Sequence, residues 1–254
     1  YIQSGGNYNT VVGDEAGTAI TTGDQNVMIG YQAGVAVNTG TNIVAIGYQA
    51  GDAITSGENN IAIGKNALGA EDTHDFNIAI GSNALAAQNA GADAYNVGIG
   101  HNAGTSVTTG LYNTLVGGLA GDAQTTADHN TALGLSAMTT NTQGNKNTAV
   151  GSNALADFNV GSDTDTFNTA VGFMAGTSIT TGVENDLIGA LAGDALTDAD
   201  YNVAVGRSSL SADTKGSRTT ALGHAALAVQ NFTSSTDTYN TAVGFYAGVN
   251  VTTG

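Results

Sequence analysis

A parallel β-solenoid of about fourteen 17-residue coils is the fold predicted by three observations: a short recurring glycine beat, strict residue columns around it, and the absence of proline. The clearest copy of the beat is Asn168-Thr169-Ala170-Val171-Gly172. Its glycine returns at Gly13, Gly30, Gly47, Gly64, Gly81, Gly100, Gly117, Gly134, Gly151, Gly172, Gly189, Gly206, Gly223 and Gly244. The spacing is 17 residues except for one step of 19 before Gly100 and steps of 21 before Gly172 and Gly244. A fixed short period of this kind overrides the globular-domain prior that the 254-residue length would otherwise set. Proline cannot donate to a β-ladder, so a chain without it suits continuous strand stacking.

Within each unit the columns assign the elements. Val, Ile or Leu always precedes the beat glycine (Val171), and Ala stands three residues after it (Ala175) in every unit except at Ser209. Asn stands four residues before it (Asn168) except at Ile43 and Thr219. Stacked side-chain amides bonding one another and the corner backbone account for that column. The triplet before the glycine reads as a short strand and Gly172 as a corner. A second short strand is predicted near Gly176 to Ile179, with a return corner at Thr181-Gly182, where a second glycine would supply positive φ. Coils stacked about 4.8 Å apart would form a rod of roughly 65 Å. No sustained 3.6-residue apolar period exists, and Thr, Val, Asn and Gly are poor helix formers, so helices are not expected.

Four residues after the beat, Gly104, Gly121, Met138 and Leu155 are followed by Gly176, Gly193, Leu210 and Leu227. Together with the long step this defines super-repeats at approximately 30–99, 100–171 and 172–243 within a single array spanning 1–254. The extra residues Ser162 to Asp165 and Ser234 to Asp237 are polar and are predicted to bulge as surface loops; a smaller insertion lies around Asn89 to Ala92. Both ends fall in mid-repeat, so the array is expected to continue beyond them as part of a longer chain.

Composition narrows the function. Five Lys+Arg against 21 Asp+Glu give a formal net charge of −16, which argues against nucleic acid and anionic membranes as partners. No run of about 18 apolar residues is present, so membrane insertion is not expected. The lack of cysteine excludes disulfides and thiol chemistry. Ile61 and Ile63 point one way and Ala62 the other, so both strand faces are apolar or small; a coil can cover one with its own interior, and a partner chain is the economical cover for the other. Val171 is read as a buried aliphatic position at which an Asp would unfold neighbouring coils.

The Asn-x-Ala-Val/Ile-Gly beat with Ala three residues on resembles the head repeats of trimeric autotransporter adhesins. The 17-residue form with Thr-Thr-Gly, as at Thr180-Thr181-Gly182, is more similar still to repeats of phage tail fibres and related surface fibres. The resemblance spans the whole chain and implies a left-handed parallel β-roll, a homotrimer with three chains side by side, an extracellular, cell-surface or virion-surface location, and a role in attachment. The step is longer than the unit of the autotransporter heads.

The expected function is therefore non-enzymatic: a shaft or stalk of an adhesive fibre that spaces or displays a binding tip. The alternative is that the roll surface itself binds a host-cell or surface receptor or glycan. Aromatics before the Asn column, among them Tyr95, Phe167 and Tyr239, could form such a stripe, although stacking across coils explains them more simply. Two readings carry less support. Adjacent rather than alternating threonines argue against an ice-binding face. Asp72 with Asp75, or Asp163 with Asp165, could bind Ca2+ but lack the nonapeptide rhythm of calcium-binding rolls. The four histidines, His74, His101, His129 and His224, fall in different units, and no metal, cofactor or catalytic set is expected.

Overall fold

The computed structural model describes residues 6–253. Tyr1 to Gly5 and Gly254, where the sequence places the tail of a preceding unit and a last corner, lie outside the described residues. The fold is an all-β parallel solenoid of about fourteen coils, with no helix among the described residues. Residues divide into two compact units, Tyr1–Asp128 and His129–Gly254.

The first unit carries seven three-residue strands, Thr10–Val12, Val27–Ile29, Val44–Ile46, Ile61–Ile63, Ile78–Ile80, Val97–Ile99 and Thr114–Val116, each parallel to the next and in register. Thus Ile61 pairs with Ile78, Ala62 with Ala79 and Ile63 with Ile80. The second unit repeats the pattern with Thr131–Leu133, Thr148–Val150, Thr169–Val171, Asp186–Ile188, Val203–Val205, Thr220–Leu222 and Thr241–Val243. The 21-residue step keeps this register because its extra residues loop out rather than enter the ladder.

Each strand ends at a corner that only glycine can make. Gly172 has φ 143°, and a Cβ there would stand 2.5 Å from the backbone carbonyl of Gly189 in the next coil. Conformation and close approach thus impose the same residue. The predicted second strand near Gly176 to Ile179 is not present: residues 173–178 form successive turns. Met174 and Gly176 take left-handed φ values of 56° and 57°, which extended backbone cannot accommodate. Backbone bonding between coils continues regardless, with Met174 N–H donating to Ser152 O at 2.9 Å and Gly176 N–H to Ala192 O at 3.0 Å. Nor does the return corner need positive φ. At Gly182 the constraint is space alone, since a Cβ would meet Ala199 O at 2.3 Å.

The interior of each coil is filled by the strand's middle residue, the alanine three after the beat, and the residues four and seven after it. In the Thr169–Val171 coil these are Ala170, Ala175, Gly176 and Ile179, all buried. The Gly/Leu super-repeat follows from the volume they share. A Cβ at Gly176 would lie 2.7 Å from Leu187 Cδ1, and one at Gly34 2.8 Å from Met28 Sδ. Where the fourth position is Leu, as at Leu155 and Leu210, the middle strand residue is Ala149 or Ala204. Close packing permits one large side chain in that space but not two.

The insertions project but remain anchored. Thr164–Asp165 pairs with Gly144–Asn145, and Thr236–Asp237 with Gly216–Ser217, as two-residue parallel bridges. Each is also tied by an ion pair, Lys146 Nζ to Asp165 Oδ2 at 2.5 Å and Arg218 Nε to Asp237 Oδ1 at 3.1 Å. The hydrogen bond from Lys146 holds the Asp165 carboxyl below its ordinary range, and the bond that Arg218 donates to Asp237 raises Arg218.

Candidate interaction surfaces

Every three-residue strand except Thr10–Val12 and Thr241–Val243 buries only its middle residue, because alternate residues point to opposite faces. Ala170 is fully buried, whereas Thr169 and Val171 face outward and are half-buried. This corrects the expectation that Val171 sits inside: the buried column is the one before it. The outward columns form an aliphatic and threonine stripe in each unit, Val44, Ile46, Ile61, Ile63, Ile78 and Ile80 in the first, for example, interrupted in the second by the exposed Asp186. In the second, Ile188 and Leu222 are more exposed still.

The Asn column is structural. Asn168 Oδ1 accepts the backbone N–H of Asn185 at 3.0 Å, and its Nδ2 donates to Gly182 O at 2.8 Å. Asn26 acts likewise toward Ile43 N–H and Gly40 O, both at 2.9 Å. One buried amide therefore joins the two corners of its own coil and continues the ladder into the next. Removing it by Asn168→Ala leaves a buried N–H and a buried carbonyl unpaired, and a loss of about 2–5 kcal/mol is expected, read as a lowered midpoint in denaturant.

The aromatic stripe lies outside, and its members stack across coils. Phe76 and Tyr95 have centroids 4.8 Å apart and Tyr95 and Tyr112 5.8 Å apart, both pairs nearly parallel. In the second unit Lys146 lies over Phe167 at 5.4 Å and Arg218 over Tyr201 at 4.5 Å. Tyr239 is the most open of the three sequence-selected aromatics, 70% exposed, with its hydroxyl 3.3 Å from Asp237. Tyr95, Phe167 and Tyr239 all take left-handed φ, between 51° and 52°. Their side chains share one column but do not converge on a pocket, and no pocket is found among the described residues.

Each carboxylate of the two sequence-adjacent pairs engages another partner. Asp163 Oδ1 accepts from Asn145 Nδ2 at 2.7 Å while Asp165 is held by Lys146. Asp75 Oδ1 accepts the Glu58 N–H at 2.6 Å, and Asp72 turns instead toward Glu71 and His74. Sequence reasoning passed over Glu71, whose signal was a charged residue seven after the beat, where Ile54 and Ile179 stand in other coils. Asp194 carries a cost of its own: Oδ1 is buried without a partner, and burial pushes its carboxyl up. A raised folded-state value penalises the charged form, so the penalty is present at neutral pH and disappears as pH falls below the unfolded value of about 3.9. Asp194→Asn should accordingly raise the melting midpoint at pH 7, with the gain shrinking to nothing on acidification.

The fold and surfaces define a parallel β-solenoid repeat protein with a core tied by the Asn ladder and an open aliphatic face. No family model, curated protein or solved structure matches the chain.

Proposed function

We propose that this chain is a structural segment of an extracellular adhesive fibre, a shaft in which three copies associate through the outward Thr/Val/Ile stripe and space or display a binding tip. The observation that carries the reading is that stripe: strands apolar on their outer face as well as their inner one, as in Ile61–Ile63, where covering the outer side chains removes apolar surface from water. The repeat resemblance favours three chains. The interior supports a spacer role, because each coil bonds to its neighbours through the same Asn and glycine positions and so can be added or removed as a unit.

A second reading places the binding surface on the roll itself, favoured by the flat, partly exposed Phe76–Tyr95–Tyr112 stack, a geometry suited to sugar rings. The two separate by an in-phase deletion of residues 100–171, which joins Ile99 to Gly172 and preserves the order of Gly-type and Leu-type coils. A spacer predicts a folded fibre that still attaches, together with an isolated array that binds neither cells nor glycans. A folded deletion fibre that no longer attaches, or glycan binding by the array, would refute the spacer.

A further inference from the structure

Glu71 is a fully buried carboxylate in a column of core side chains, and only one of its oxygens is satisfied. Oε1 accepts the backbone N–H of Asp72 at 3.1 Å and of His74 at 3.2 Å. Oε2 has no hydrogen-bond partner. A buried anion left in this state is costly. The second unit meets the same problem at the matching position of its own repeat and resolves it: Asp213 Oδ1 accepts the N–H groups of Gly216 and Phe232, both at 3.0 Å, and Oδ2 accepts from Gln230 Nε2 at 2.7 Å. The counterpart of Gln230 in the first unit, Gln88, leaves its own Nε2 unpartnered rather than satisfying Glu71.

What the first unit has instead is His74, at a return corner filled by Gly57 in the preceding coil and by Gly216 in the second unit. Its Nδ1 lies 3.0 Å from Glu71 Oε1 and 4.0 Å from Asp72 Oδ1, and the donor atoms of the three residues lie within 4.8 Å of one another. No other group of three or more His, Asp or Glu side chains comes together in this way among the described residues. The cluster runs from core to solvent, with side-chain exposures of 0% for Glu71, 21% for His74 and 45% for Asp72, so an ion has a path in.

We infer that Glu71, Asp72 and His74 form a binding site for a divalent transition cation of the zinc class, with solvent completing the coordination. Tetrahedral donors bonded at about 2.1 Å stand about 3.4 Å apart, between the two separations seen here. The imidazole nitrogen selects this class over Ca2+ and Mg2+, which take oxygen ligands. Binding requires the neutral imidazole with its proton on Nε2, leaving the Nδ1 lone pair free. The ion neutralises the buried carboxylate, which the backbone N–H groups at Oε1 hold in place.

The test is calorimetric titration of the purified, tag-free protein with Zn2+ and, separately, with Ca2+, repeated on His74→Gly and Asp72→Asn. His74→Gly restores the residue of neighbouring corners and should fold; Asp72→Asn, at a half-exposed position, provides an independent variant. The expected result is one Zn2+ per chain, affinity reduced by about tenfold or more in each variant, a Zn2+-dependent rise in melting midpoint seen in the parent, and no comparable Ca2+ binding. Absence of Zn2+ binding, Zn2+ binding unchanged in both variants, or Ca2+ binding of equal strength would each overturn the assignment; the first would leave Glu71 a cap of its corner, and the second would mark adventitious binding to the acidic surface.

Discussion

Gly172→Val will abolish folding of the coils around it. The new Cβ stands 2.5 Å from the Gly189 carbonyl, a backbone group fixed by its own ladder, and the φ of 143° is one a β-branched residue does not adopt. Neither strain can relax without breaking the parallel register, so a loss of more than about 4 kcal/mol is expected. Gly176→Ala provides the contrast. There the new Cβ meets the tip of the Leu187 side chain at 2.7 Å, and the same left-handed conformation is held by Leu155 and Leu210 in other coils. Overpacking of this kind costs about 1–3 kcal/mol. Thermal melts followed by circular dichroism should rank the two variants in that order; a Gly172→Val protein melting with the parent would show that the corner is not closed as described.

The second large effect comes from two adjacent residues. Ala170→Asp places an unpaired carboxylate in the fully buried column and should unfold its neighbourhood, whereas Val171→Asp places the same charge on the outward face and should leave the coil folded. Under the shaft proposal Val171→Asp acts on assembly instead: identical charges would meet or be desolvated at the seam, and the chains should separate while retaining their β spectrum. Unfolding by Val171→Asp to the same degree as by Ala170→Asp would mean that the outer column is as enclosed as the inner one.

The period, the strand triplets, the beat corner and the Asn ladder were legible because each is imposed by the same contact in coil after coil, as Asn26 and Asn168 illustrate. The interior position seven residues after the beat was not. Its occupants, Glu71, Phe158, Ile179, Leu196 and Asp213 among them, vary because it shares volume and hydrogen-bonding work with neighbouring positions, so no single residue type holds the column. The turns mistaken for a second strand were hidden for another reason. Met174 and Leu155 adopt left-handed backbone that local preference assigns to glycine or asparagine, and only the stacking of adjacent coils requires it of them. The cluster around Glu71 was obscured because Asp72 resembles a partner for Asp75 in sequence, while the corner turns it toward His74 and the ladder engages Asp75 with Glu58. The outward orientation of Val171 follows from strand alternation, but which face is inward is decided by the corners on either side of the strand.

Association through the outward stripe is the central claim, and sedimentation equilibrium of the refolded parent chain tests it most directly. The account predicts a monodisperse species of three times the 25.1 kDa chain mass, reduced to single chains by Val171→Asp. A parent protein that is stably folded and monomeric at micromolar concentration would contradict it.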